Sequence, residues 1–145
     1  MMPRNVKTTE LTLTRTVAAS PAAIFDLWID PKSPGSPWFG TAKAIVQPIV
    51  DGLFYHSVHF GGEDWAHYGR FLVLERARRI EHTWVSRATQ GFESIVSLTF
   101  EPQDTQTLIR LRHTNVPDDE MGRQHQEGWG YVLGGIAERF SGSPR

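Results

Sequence analysis

The chain has 145 residues, of which 39% are hydrophobic, enough for one domain with a real core. Its net charge of −1 and the lack of any Lys/Arg run exclude the usual nucleic-acid-binding pattern. The sequence has no cysteine for disulfides or thiol catalysis, no apolar run near the ~20 residues of a membrane span, and no signal-peptide pattern. These features predict a cytoplasmic protein.

The first predicted elements are a strand and a short helix. Apolar and polar side chains alternate over residues 9–17, which predicts a half-buried strand with Arg15 on its apolar face. Ser20-Pro21 is typical of a helix N-cap with proline at the first helical position, and a short helix should follow over residues 22–29. Residues 31–40 contain three prolines and predict a loop or one helical turn, so one or two short helices are expected here.

The middle of the chain predicts consecutive antiparallel strands. Turn residues recur at short intervals with no helical pattern between them, which is typical of hairpins rather than parallel βαβ units. The predicted strands are 42–49, 53–60, 65–74, 80–87, 93–100 and 107–114.

The last long segment, residues 118–140, predicts an amphipathic helix. Apolar or aromatic residues recur there in steps of three and four: Met121, His125, Trp129, Val132, Ile136 and Phe140. Its glycines weaken a helix by up to ~1 kcal/mol each. We therefore expect the helix to be held by other elements, and its glycines to leave space. A polar tail, residues 142–145, is expected to be disordered.

The element order predicts an α+β fold. A curved antiparallel sheet of six or seven strands should wrap around the long C-terminal helix. One helix cannot fill the concave face of so large a sheet, so a cavity is expected between them. The whole chain, 1–145, should form a single domain with an ordered core of about residues 9–140.

Four segments carry a resemblance to a known family. They are Ser20-Pro21 through Trp38-Phe39-Gly40, Gly69-Arg70-Phe71 through Thr83-Trp84, Thr107 through His113, and His125 through Leu133. Their residues and order resemble START-like (SRPBCC) domains. The closest resemblance is to the family named for homologues of the activator of the 90-kilodalton heat-shock-protein ATPase.

The resemblance implies a helix-grip architecture with an internal hydrophobic pocket. It implies no single function, because relatives include lipid carriers, polyketide cyclases and aromatases, hormone receptors and co-chaperone domains. The co-chaperone itself acts through a larger protein with an additional domain. Its ATPase-activating role is therefore not expected of this single domain.

The candidate ligand-binding residues are those expected to point into the cavity. Alternation along the strands, the helix periodicity and, for Trp38, a large aromatic side chain on a proline-rich loop predict this set: Trp129, His125, His113, Trp84, Phe71, Tyr55 (or Phe54), Arg15, Leu133 and Trp38. Aromatic walls with a few polar groups are typical of small-molecule sites. The two inward histidines could hold a ligand or move a proton, or could satisfy backbone groups at the end of the core.

A metal site is not expected. His56 and His59 lie three residues apart on a strand, so their rings should point to opposite faces. His67 and His82 could face each other on adjacent strands, but a zinc site without cysteine needs three converging ligands. The sequence also has no phosphate loop, dinucleotide fingerprint or nucleophile elbow, and no cofactor is predicted.

Three functions remain open from the sequence. The first is binding of a small hydrophobic or aromatic molecule in the cavity. The second is a cyclase, hydrolase or dehydratase that uses an inward histidine. The third is a chaperone-associated interaction module, which an exposed patch of Trp38 and Phe39 would favour. A homodimer is compatible with each of them.

Overall fold

A computed structural model describes residues 6–41 and 43–141 of the chain. Its centre is an antiparallel seven-stranded sheet with the order β1-β7-β6-β5-β4-β3-β2. The strands are β1 (Thr8–Val17), β2 (Lys43–Val46), β3 (Leu53–Phe60), β4 (Glu63–Glu75), β5 (Arg79–Trp84), β6 (Ser94–Gln103) and β7 (Gln106–Pro117). The predicted tail, residues 142–145, and the first residue of the predicted strand 42–49 lie outside the described residues.

Within the described residues, three helices accompany the sheet. They are α1 (Pro21–Ile29), α2 (Glu120–Arg123) and α3 (His125–Ser141), and a 3₁₀ turn covers Arg87–Thr89. Ser20 caps α1, because its hydroxyl accepts a hydrogen bond from the Ala23 N–H at 3.2 Å. The predicted final helix is therefore two segments that meet at Gln124, and one short helix follows β1.

The segment between α1 and β2 is a series of tight turns. Backbone N–H groups of Ser33, Ser36, Phe39 and Thr41 each donate to the carbonyl three residues earlier. These turns return Trp38 to the interior, where its indole N–H donates to the Trp28 carbonyl at 2.6 Å. The loop expected from three prolines thus positions one large aromatic side chain.

The main core lies between the concave face of the sheet, α1 and α3, and the architecture is the predicted helix-grip fold. The inward set includes Val17, Ile24, Trp28, Phe54, Phe71, Ile80, Leu98, Ile109, Leu111, Trp129, Leu133 and Ile136. Burying such side chains contributes ~1.5–3 kcal/mol each relative to exposing them, which holds the glycine-rich α3 in place.

Gly69 sets the close approach of β4 to β5. A Cβ atom at this position would lie 2.0 Å from the Thr83 carbonyl oxygen, so no other residue fits without a backbone shift. The neighbouring Arg70 N–H donates to the Thr83 hydroxyl at 2.9 Å. This junction fixes which side chains of β4 face the helix.

Candidate functional site

A cavity of about 400 Å³ opens between the start of α3 and the strands β3, β4 and β5. Aromatic and aliphatic side chains dominate its wall: Trp38, His56, Val58, Phe60, Trp65, His67, Trp84, Ala88, Met121, Gln124, His125, Gly128, Trp129 and Val132. Phe60 is 73% exposed and Met121 is 42% exposed, and these two form part of the rim. The size and lining are those of a small-molecule site.

The helical side of the cavity follows from the spacing of its residues. Gln124, Gly128 and Val132 are separated by four residues each, so they form one stripe along the helix. Trp129 lies beside this stripe and turns inward, where it is 3% exposed. Gly128 has no atom within 4 Å of the place where a Cβ would lie, so its missing side chain leaves open space at the cavity wall.

The sheet side follows from period-two alternation. On β3, His56, Val58 and Phe60 point to the cavity; on β4, Trp65 and His67 do so. His56 and His67 are directly opposite each other in the β3–β4 register. Their rings stack with centroids 4.5 Å apart and an interplanar angle of 6°.

His56 and His67, called here the open pair, are less completely hydrogen-bonded than the other inward histidines. The Nδ1 atom of each ring is buried and makes no hydrogen bond within the described part of the chain. Burial and, to a smaller extent, neighbouring histidines lower the pKa of His56 to about 3 and that of His67 to about 4, and the backbone of His56 and Trp65 partly offsets the shift of His67. Both rings are therefore neutral at pH 7, and they are the polar groups that the sheet offers to the cavity.

The other three inward histidines, His82, His113 and His125, are called the bonded histidines. The indole N–H groups of Trp28, Trp129 and Trp84 donate to them, at 3.3, 2.9 and 3.2 Å respectively. Each ring's second nitrogen is also bonded, to the Thr83 carbonyl, the Ser94 hydroxyl and the Gly122 carbonyl in the same order. These partners require neutral imidazoles with defined tautomers.

Burial keeps the bonded histidines uncharged. It lowers the pKa of His113 to about 2 and that of His82 to about 4, and it lowers the pKa of His125 as well. The Ser94 hydroxyl, which accepts from His113, in turn donates to the Trp84 carbonyl at 2.6 Å. The result is a satisfied polar network that extends from His125 and Trp84 at the cavity wall to His113 in the core.

Four of the predicted site residues line the cavity: Trp38, Trp84, His125 and Trp129. Phe71, His113 and Leu133 are buried as expected, but in the core behind the wall rather than at its surface. The sequence left Tyr55 and Phe54 as alternatives on β3. Tyr55 is on the opposite face from His56, so Phe54 is the inward residue of the two. Phe54 also lies in the core rather than at the cavity surface.

Arg15 faces α3, as the alternation predicts, but it does not line the cavity. Its side chain is exposed, and it lies with Gly134, Gly135 and Glu138 in a separate surface depression between β1 and α3. Leu11 and Leu13 are half-buried and Val17 is buried, so the predicted alternation of β1 holds along the strand. The helix glycines divide similarly, since only Gly128 borders the cavity.

Metal coordination has no support within residues 6–41 and 43–141, where no group of three or more potential ligands converges. His56 is buried and His59 is exposed, which confirms that the two rings take opposite faces. The suggested pairing of His67 with His82 is wrong, because His82 is opposite Phe71 and His67 is opposite His56. The strand bounds predicted from the sequence did not give the register of β4 with its two neighbouring strands.

Sequence reasoning missed the open pair and the cavity rim. His56, Val58, Phe60, Trp65 and His67 all line the cavity, although none was predicted to. If Phe54 is taken as inward, the alternation of a strand also places His56, Val58 and Phe60 on the inward face. Choosing between Phe54 and Tyr55 was the step that the sequence left open.

Comparisons with known proteins agree with this fold. A protein of Chromobacterium violaceum has a similar structure with a TM-score of 0.78 and 20% identity, over 92% of this chain and 99% of that chain. The AHSA1 protein of Silicibacter pomeroyi gives 0.74 and 24%, over 90% and 96%. The Aha1 dimer of Colwellia psychrerythraea gives 0.71 and 15%, over 91% and 96%.

At these identities the structural matches establish the fold alone. No curated protein matches the sequence, and no helix among the described residues is long and apolar enough to cross a membrane. The family model described as "Activator of Hsp90 ATPase homolog 1-like protein" matches residues 18–141, which include the loop with Trp38, the open pair and α3. The chain therefore belongs to the activator of Hsp90 ATPase homologue 1-like family.

Proposed function

We propose that this protein binds a small aromatic or hydrophobic molecule in the cavity between α3 and the sheet. The observation that carries the proposal is an open cavity of about 400 Å³ whose wall is aromatic and includes four tryptophans. Apolar surface exposed in such a wall gains ~25 cal/mol per Å² when a ligand covers it. A wall with this composition therefore favours an apolar ligand over a charged one.

The enzyme alternative requires an inward histidine that can act as a base, and the two histidines predicted for this role are not available. Both ring nitrogens of His113 and of His125 are already hydrogen-bonded, so neither is free to take a proton from a substrate. The open pair has free nitrogens, but pKa values of about 3 and 4 make these rings weak bases at pH 7.

The interaction-module alternative has one supporting residue rather than a patch. Phe39 is 51% exposed, whereas Trp38 is 3% exposed and lies in the core and at the cavity wall. A homodimer, as found for the Colwellia protein, and a cytoplasmic location stay predictions of the sequence.

Binding can be tested with N-phenyl-1-naphthylamine, a neutral aromatic dye whose fluorescence rises in apolar surroundings. The blocking variant is Gly128→Leu, because a side chain there enters open space at the cavity wall. The matched control is Gly135→Leu on the same helix, which also meets no atom within 4 Å but lies outside the cavity.

We expect the dye to bind the wild type, to bind Gly128→Leu at least tenfold more weakly, and to bind Gly135→Leu within twofold of the wild type. Equal binding to all three proteins would place the dye elsewhere and contradict the proposal. Native mass spectrometry of the purified protein is an independent measurement, because a retained small molecule would add a discrete mass that Gly128→Leu lacks.

A further inference from the structure

We propose that the cavity selects aromatic ligands that carry a neutral hydroxyl group, and that His56 and His67 hydrogen-bond this group. The inference rests on the proposed function and adds to it the chemical class of the ligand. It depends on the open pair, on the charge of the cavity wall, and on the contrast with the bonded histidines.

The open pair is built into the floor of the cavity. His56 is 5% exposed, and its ring stacks on that of His67 with centroids 4.5 Å apart. The tryptophans of the wall restrict both rings: Trp38 lies 4.8 Å from His56, and Trp84 lies 5.4 Å from His56 and 5.1 Å from His67. Two imidazoles fixed in this way are a prepared polar site in an apolar wall.

The unmet hydrogen-bonding capacity of the open pair points to a ligand. Buried polar side chains in proteins nearly always have partners, and an exception requires an explanation. Within the described residues the same core satisfies both ring nitrogens of His82, His113 and His125, yet leaves Nδ1 of His56 and of His67 without a partner. These Nδ1 atoms are closed off from the cavity, so a ligand group would bond the other ring nitrogen, Nε2, for which no hydrogen bond is found within the described residues.

The charge of the wall determines what this group can be. Among the described residues that line the cavity there is no Lys, Arg, Asp or Glu. At the edge, Arg87 lies over Trp65 and is paired with Glu63 at 2.9 Å, so its charge is already compensated. A carboxylate or an ammonium group in the cavity would be desolvated without a counter-ion.

A hydroxyl group fits both neutral imidazoles. In a neutral imidazole one nitrogen donates and the other accepts, and either tautomer is available to a ring whose partners do not fix it. A hydroxyl both donates and accepts, so it can complete a hydrogen bond with His56 or His67 in either tautomer. The aromatic part of the ligand would then contact the tryptophans.

The test compares three ligands of one shape by equilibrium dialysis at pH 7.5: 2-naphthol, 2-methylnaphthalene and 2-naphthoate. They present a hydroxyl, a methyl and a carboxylate on the same two rings. We expect the wild type to bind 2-naphthol at least tenfold more tightly than either of the others, since one good hydrogen bond to an otherwise unpartnered group is worth about that factor.

The matched variants are His56→Phe, His67→Phe and His59→Phe. His59 is on the same strand as His56 but is exposed on the other face, so its replacement is the control. We expect each open-pair variant to bind 2-naphthol several-fold more weakly and the double variant to bind it no better than 2-methylnaphthalene. Binding of 2-methylnaphthalene should stay within twofold in all of them, which also reports that the cavity is still folded.

The outcomes separate the two proposals. If all three ligands bind equally and the open-pair variants change nothing, hydroxyl selection is overturned while aromatic binding stands. Preference for 2-naphthoate would also overturn it, in favour of an anion site formed by protonated histidines. If none of the three ligands binds, and the dye fails as well, the proposed function itself is overturned.

Discussion

The open pair and the bonded histidines are the same residue type in the same interior, and they differ in what their nitrogens contact. His82, His113 and His125 each accept an indole N–H and bond a second protein group. His56 and His67 stack on each other and leave Nδ1 without a partner within the described residues. Burial alone therefore does not distinguish a structural histidine from a candidate binding residue, whereas the hydrogen-bond partners of the ring nitrogens do.

The largest expected effect is a loss of stability in acid, to which both groups contribute. In the folded protein the pKa values of His56, His67, His82 and His113 are about 3, 4, 4 and 2, below the ordinary 6.5. Below pH 6.5 these histidines become protonated in the unfolded chain, whereas in the folded chain they stay neutral until the pH approaches their lowered pKa values. The stability is therefore complete above pH 6.5 and falls as the pH drops towards 4, by at most ~1.4 kcal/mol per pH unit for each histidine.

Urea unfolding at pH 7.5, 6.5, 5.5 and 4.5 measures this slope. Replacing one open-pair residue, as in His56→Phe, should reduce the pH dependence of the free energy of unfolding by the contribution of one histidine. A free energy of unfolding that stays constant between pH 6.5 and 4.5 would contradict the neutral, buried state of these rings.

The second effect is a difference between identical substitutions in the two groups. His113→Phe removes the acceptor of the buried Trp129 indole N–H and the partner of Ser94, so we expect it to destabilise the fold by about 3 kcal/mol. His56→Phe removes a ring without a hydrogen-bond partner and keeps the stacking, so we expect a change within about 1 kcal/mol.

Chemical denaturation of the two variants at pH 7.5 measures this difference. Equal losses of stability would mean that His56 contributes as much to the stability of the fold as His113 does, which would contradict the distinction between the open pair and the bonded histidines. His113→Gln is an additional check, because its side-chain oxygen can accept one of the two hydrogen bonds and should recover part of the loss.

A smaller effect is expected from the helix glycines. Gly128→Leu and Gly135→Leu should each stabilise α3 by up to about 1 kcal/mol, because leucine favours helix and neither side chain meets an atom within 4 Å. Thermal unfolding without ligand measures this gain. Only Gly128→Leu should also remove ligand binding, so stability and binding would move in opposite directions at the cavity wall. Destabilisation by Gly128→Leu would indicate that the open space is absent.

The smallest effect is expected at Arg15. Its side chain is exposed and lies in the depression between β1 and α3, which contains neither member of the open pair. Arg15→Gln should therefore leave the affinity for 2-naphthol within twofold and the free energy of unfolding within about 0.5 kcal/mol. A larger loss of binding would show that the ligand extends to the depression between β1 and α3, and would support the ligand-binding role that the sequence predicted for Arg15.

The sequence alone determined the helix-grip fold and part of the cavity wall. Alternation in the strands and the three–four spacing in the last helix are local consequences of backbone geometry, so they specify the order and type of the elements. They also placed Trp84, His125 and Trp129 inward, since each has apolar neighbours at the matching period. Trp38 was placed by a different signal, an aromatic side chain on a proline-rich loop.

The tertiary structure decided which inward residues reach the cavity. His56 and His67 meet because the β3–β4 register places them opposite each other, and His113 withdraws from the cavity because the Trp129 indole and Ser94 bond both its nitrogens. Register and partner choice depend on residues far apart in the chain. Periodicity therefore assigned a face to each side chain, and only the packed sheet determined which histidines were left without a partner.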